Sequence, residues 1–208
     1  MKISNPPVQR LARVPKGPSA TQLRRAFRPY AISLGELAFS WNSLHSHLAD
    51  LFELVVKSPS RRMGVSIWYS SDSDYAQRKM LRAAIEAASQ FTAQQRADIR
   101  WVLDRIDEAL RHSRNDAVHS PLTFIQSLDD ISIIRVIPDM SDNPRARSLW
   151  AKARSFEDLN VLFKEAKALA DVLDDYVTGI FRAILNPSER SWPTRPKLPN
   201  AHRKKGGK

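Results

Sequence analysis

Apolar residues recur at Leu34, Leu37, Trp41, Leu44, Leu48, Leu51 and Val55, in alternating steps of three and four. That rhythm keeps one face of an α-helix apolar, and it predicts a helix starting after Pro29 with a continuous buried seam. The run SPSRRMG at 58–64 reads as a break, followed by a short apolar piece, VSIWYS. SDSD then offers several N-cap residues for a second, shorter helix carrying Tyr75, Leu81, Ala84, Ile85 and Ala88. From Thr92 a third helix repeats Ile99, Leu103, Ile106, Leu110, Ser113 and Ala117, and Pro121 pushes Ser120 out of helical geometry, so this helix should end near His119.

The pattern changes at 122–138. LTFIQ and ISIIRVI are short and β-branched, and SLDD separates them, which predicts a small hairpin or extended flap. Ser155 with Asp158 resembles a capping box opening a last helix. Its seam is Leu159, Leu162, Ala166, Leu169, Leu173, Tyr176 and Ile180, and Asn186-Pro187 stops it near Leu185. The expected architecture is therefore all-α, an antiparallel bundle of four main helices over residues 31–186. Apolar stripe left over on such long helices is covered most simply by a second copy, so a homodimer is expected.

Composition adds where the charge lies. The 208 residues, 42% apolar, suffice for one core. Residues 1–30 hold seven cations and no acid, and residues 187–208 hold seven cations against Glu189 alone. The chain's net charge of +11 thus leaves 31–186 at −2. Both ends are Pro-rich and lack apolar periodicity, so both are expected to be flexible basic arms, suited to a polyanion through counterion release. With no Cys there is no disulfide, zinc thiolate or thiol nucleophile. No apolar run reaches the roughly 20 residues a bilayer requires, and the opening MKISNPPVQR has no secretory apolar stretch, so a soluble cytoplasmic protein without membrane contact is expected.

Five His and many carboxylates are present, but none is set in a Glu-x-x-His pattern, so neither a metal nor a cofactor is expected. His45 and His47, two positions apart, should face different directions and take ordinary surface or interface roles. Dinucleotide, P-loop and nucleophile-elbow glycine patterns are absent. The informative segment is RHSRNDAVHS at 111–120. An Arg followed at such spacing by His also occurs at Arg105–His112 and Arg195–His202, but only Arg114 has Asn directly after it.

Arg114-Asn115-x-x-x-His119 at the end of a bundle helix resembles the R-N-x-x-x-H signature of HEPN domains, all-α bundles that commonly dimerise and include many RNases. The resemblance implies a metal-independent endoribonuclease, set in a toxin–antitoxin pair with a cognate antitoxin protein or in a defence module. It assigns His119 as general acid or base, Arg114 as the clamp on the charged transition state and Asn115 as the orienting amide. The residue chemistry agrees. Imidazole takes both protonation states near neutrality, and guanidinium offers a fixed fork of donors to phosphate. Arg111, three residues before Arg114, would widen an RNA-binding strip.

Five positions along a helix rotate a side chain by roughly 140° relative to ideal geometry. Arg114 and His119 would then serve one phosphate only if the last turn unwinds or two protomers pool their motifs. The alternative is a noncatalytic helical dimer that binds a protein, nucleotide or nucleic acid, with Arg114 and His119 offsetting the negative helix end. Trp41, Trp101 and Trp150 are candidate base-stacking surfaces, although Trp41 lies in the core seam.

Overall fold

Ser19 and Gln22 start the first helix by a reciprocal capping box. The Ser19 N–H donates to Gln22 Oε1 at 2.8 Å, and the Gln22 N–H donates to Ser19 Oγ at 3.3 Å. The computed structural model describes residues 19–109, 122–126, 134–138 and 156–199, with 122–126, 134–138 and 156–159 described through their backbone alone. Helix α1 runs Ala20–Val55 and passes through Pro29. Pro29 removes one helical N–H, at a cost of about 3 kcal/mol in a helix interior. Tyr30, 1% exposed, anchors this stretch between Phe27, at 5.2 Å between ring centroids, and Phe163, edge-on at 5.1 Å. The expected flexible arm over 1–30 is therefore corrected from Ser19 onward. The cap and the aromatic anchor hold turns that lie before the Leu34 seam and contribute nothing to its period.

The seam itself is as its spacing predicts. Leu37, Trp41, Leu44, Leu48, Leu51 and Val55 are buried and Leu34 is half-buried. Each such side chain removed from water contributes about 1.5–3 kcal/mol. Next comes α2, Arg61–Tyr69, capped by Ser60 Oγ accepting from the Met63 N–H at 3.2 Å. It includes much of the predicted break and most of VSIWYS. A Cβ on Gly64 would lie 2.6 Å from Glu53 Cγ, so glycine is what lets α2 approach α1 this closely. Trp68, fully buried, then packs on Phe52. Helix α3 is Asp74–Ala87, capped by Ser73. Helix α4 is Ala93–Ala109, opened by a second capping box in which Thr92 and Gln95 exchange bonds of 2.9 and 3.2 Å. Strands β1, Leu122–Gln126, and β2, Ile134–Pro138, pair antiparallel with Leu122 opposite Pro138 and Phe124 opposite Val136, matching the expected hairpin. Helix α5 spans Phe156–Leu185.

An all-α bundle is what these helices build, but their directions differ from strict four-helix alternation. Ser33 bonds Asn160, Ser43 bonds Asp174, and His47 lies against Asp174 and Thr178, so α1 and α5 run parallel. The His45–Asp74 contact and the Gln90–Val55 bond likewise set α3 parallel to α1. Helix α4 opposes them, through Glu86–Arg100, Arg82–Asp104 and Arg78–Asp107 to α3 and Trp101–Tyr176 to α5. Each helix runs opposite to the one before it, as expected of an antiparallel bundle, and what differs from the four-helix expectation is that α2 is a fifth helix. It returns the chain from the end of α1 to the level of His45, and that reversal shifts the direction of every later helix.

After Leu185 the chain turns and runs back along α4 as an extended strap. Trp192 Nε1 donates to Asp98 Oδ2 at 3.0 Å, and Arg195 Nε donates to Asp98 Oδ1 at 2.6 Å. Arg195 also sits over the Trp101 ring, and Leu198 and Trp192 pack against the core. Pro193 lies against Gly179, where a Cβ would be 3.2 Å away. The expected flexible tail over 187–208 is thus corrected for 187–199. Asp98, only 4% exposed, needs donors; Gln94 of its own helix supplies one at 3.1 Å and the strap supplies two more.

Candidate functional site

Arg111, Arg114, Asn115 and His119 lie outside the described residues, as do Trp150 and the Leu110, Ser113 and Ala117 positions of the α4 seam. What is described is the approach to them. Ala109, the last described residue of α4, is buried, and Arg105 pairs with Glu108 at 2.6 Å one turn earlier. Between Arg105, Glu108, Ala109, Leu169 and Leu198 is a crevice of about 10 Å³. That is room for a single water.

The polar cluster that the fold does assemble lies on the seam between α1 and α5. Asp174 accepts from Ser43 Oγ at 2.8 Å through one carboxylate oxygen and contacts His47 Nδ1 at 2.5 Å through the other. Thr178 Oγ1 is 3.4 Å from the same ring nitrogen. The imidazole side chain is 39% exposed, with Asp174 held against its Nδ1. The group fixes the orientation of an imidazole at the surface between the two helices. It is not a nucleophile triad, because the Ser43 hydroxyl is spent on the carboxylate instead of the imidazole.

His45 and His47 do face apart, as their spacing requires: His45 lies 3.6 Å from Asp74 on α3, while His47 turns to α5. Sequence reasoning missed Asp174 as the partner. The two residues are 127 apart, and no local pattern joins them.

Charge is divided unevenly over the described surface. Arg24, Arg25 and Arg28 are exposed on the second and third turns of α1, and none has a carboxylate partner among the described residues. Two cations of α3 are instead neutralised: Arg78, 4% exposed, bonds Asp107 at 2.7 Å, and Arg82 bridges Asp104 and Asp107. The expectation that Trp101 offers a base-stacking surface is corrected. One face lies beneath Arg195, and Tyr176 meets it edge-on with centroids 5.6 Å apart. Trp41 is core, at 1% exposed.

Among the described residues no group of three or more His, Asp or Glu is placed to hold a metal ion, and no helix is long and apolar enough to cross a membrane. No protein-family model, curated protein or solved structure matches the chain.

Proposed function

We propose that this chain is a HEPN-like homodimeric endoribonuclease that cleaves RNA without a metal. The observation that carries the reading is the sequence Arg114-Asn115-x-x-x-His119, beginning five residues past the last described residue of α4 in an all-α bundle. In this reading the RNA's own 2′-hydroxyl attacks the adjacent phosphorus. His119 moves the proton, Arg114 neutralises charge accumulating on the phosphate oxygens, Asn115 orients the phosphate and Arg111 extends the cationic strip. The roughly 140° offset between Arg114 and His119 on an ideal helix favours motifs pooled from two protomers across one groove. The excess of cations at both chain ends supports a polyanionic substrate. The setting that accords with this chemistry is a toxin restrained by a cognate antitoxin protein, or a defence module, in the cytoplasm.

The test is RNA cleavage by purified protein in the presence of a chelator, with His119→Ala and Arg114→Ala alongside. Wild type is expected to cut, and each variant to lose at least 100-fold in rate, the lower range for one general acid–base group. Equal residual cleavage by all three proteins refutes the enzyme and leaves a noncatalytic binding dimer.

A further inference from the structure

Arg24, Arg25 and Arg28 are spaced along α1 so that they share an arc of about 100° on the helix surface. Tyr30, Ser33 and Leu37, buried in the core, point away from that arc, so the three guanidinium groups are held outward by a regular helix and not by a loose arm. No carboxylate among the described residues pairs with any of them. The chain has no acid at all before Glu36, about two turns past Arg28, and the charge of Glu36 falls on Lys167 of α5. Three other surface cations are already taken: Arg61 bonds Asp50 at 2.7 Å, Arg100 meets Glu86 at 3.2 Å and Lys167 bonds Asp171 at 2.7 Å. Arg24 and Arg28, four positions apart, repel one another, so their arrangement stabilises nothing within the chain. What it suits is a row of negative charges from outside, and the guanidinium fork matches phosphate.

The fold also puts this trio at a particular end of the bundle. The Ser33–Asn160 bond sets the start of α5 beside the first half of α1. Helix α4 runs back along α5, from Trp101 against Tyr176 to Ala109 beside Leu169, and so heads for that same end. Its last described residue stands five positions before Arg114. The direction of α4 and the place of the trio therefore converge, with about 14 Å of helix between the level of Leu169 and that of Asn160. That span equals about four steps of a stacked nucleic-acid strand.

We infer that Arg24, Arg25 and Arg28 form a track that grips RNA phosphates away from the bond to be cut. The inference rests on the proposed function for its choice of RNA, and it adds a noncatalytic contact on α1. The test measures Kd of the full chain for a single-stranded 2′-O-methyl oligonucleotide, which has the phosphates of RNA and no hydroxyl to attack with, from about 50 to 200 mM salt. Arg24→Gln, Arg25→Gln and Arg28→Gln together are expected to weaken binding about tenfold or more at the low-salt end. They should also lower the slope of log Kd against log salt by about two, since each phosphate contact on a single strand contributes roughly 0.7. The same three positions changed to Lys keep the charge and should keep most of the affinity. Arg61→Gln, Arg100→Gln and Lys167→Gln together remove equal charge from paired positions and should leave affinity within about twofold. Helical circular dichroism is expected unchanged with Gln or Lys on α1, because both match Arg in helix propensity. A wild type that does not bind the probe, a slope unchanged by Gln at the trio, a Lys triple as weak as the Gln triple, or equal losses at the trio and at the paired positions overturns the assignment. Ordinary RNA run in parallel separates the two readings. Cleavage through His119 with a slope that the trio does not affect removes the track and spares the ribonuclease, whereas a slope lost with the trio in a chain that never cuts does the reverse.

Discussion

The two ends of this chain look alike in composition and are ordered by different physics. Both are basic and rich in proline, yet Ala20–Tyr30 is helix and 187–199 is an extended strap. The N-terminal end is ordered largely by neighbours: Ser19 bonds Gln22, and Phe27 stacks beside Tyr30. The C-terminal end is ordered from afar, through bonds to Asp98 that span 94 and 97 residues. The consequence for charge is opposite. Arg195 is consumed by a buried carboxylate, while Arg24, Arg25 and Arg28 remain exposed, so equal cation counts do not mean equal availability to a partner.

The largest expected effect breaks the distant fastening. Asp98→Ala removes the acceptor of three donors, Trp192 Nε1, Arg195 Nε and Gln94 Nε2, and leaves Trp192 Nε1 without its carboxylate. The cost is about 3 kcal/mol, at the lower end for losing one partner of a buried charged pair. That lowers Tm by roughly 6–12 °C for a chain of this size. Thermal unfolding followed by circular dichroism checks it. Asp98→Asn, which keeps one acceptor oxygen, should recover part of the loss. A Tm unchanged by Asp98→Ala would mean that the strap contributes no stability.

How much of this was legible follows the same division between near and far. The α1 and α5 seams were readable because burial repeated with the helical period over many turns. Helix α2 was not, since nine residues with only Gly64 and Trp68 buried provide no repeat to detect. Missing it reversed the inferred direction of α5 relative to α1. The strap has neither a helical nor a strand period, because Trp192 and Leu198 each answer to a partner elsewhere in the chain. At the functional level, Arg114, Asn115 and His119 stand close together in sequence and form a visible motif. His47 and Asp174 meet only because parallel helices place them side by side, so the paired acid and imidazole have no signature in a single chain.

Alkaline pH gives the next effect, and it acts at both ends. Burial pushes the Tyr30 phenol up to about 12. Tyr176, beside the strap, is also pushed up to about 12, by burial first and then by the Asp98 charge, with Arg195 opposing. A raised phenol pKa means that the folded chain keeps a proton the unfolded chain releases near 10. The stability from that retention is therefore complete below pH 10 and declines as pH rises toward 12. Tyr30 accounts for about 2–3 kcal/mol of the decline, from a shift of about two units. Urea unfolding at intervals from pH 8 to pH 12 measures it. Tyr30→Phe should flatten the slope and leave the Tyr176 share; an unchanged slope would show that Tyr30 ionises in the folded state without penalty.

The smallest effect is on the near fastening. Ser19→Ala removes the hydroxyl that accepts from the Gln22 N–H and leaves that helix end to solvent. Loss of a cap costs about 1 kcal/mol where the helix end is coupled to the whole fold. Here the first turns of α1 precede the buried anchor at Tyr30, so they can fray while everything beyond it stays folded. The expected outcome is therefore faster amide exchange at Gln22 and Leu23, with a Tm shift smaller than the Asp98→Ala loss by at least a factor of three. A Tm loss comparable to that of Asp98→Ala would place the cap inside the cooperative unit. The N-terminal end would then be held as globally as the strap, and the contrast between the two ends would fail at its nearer side.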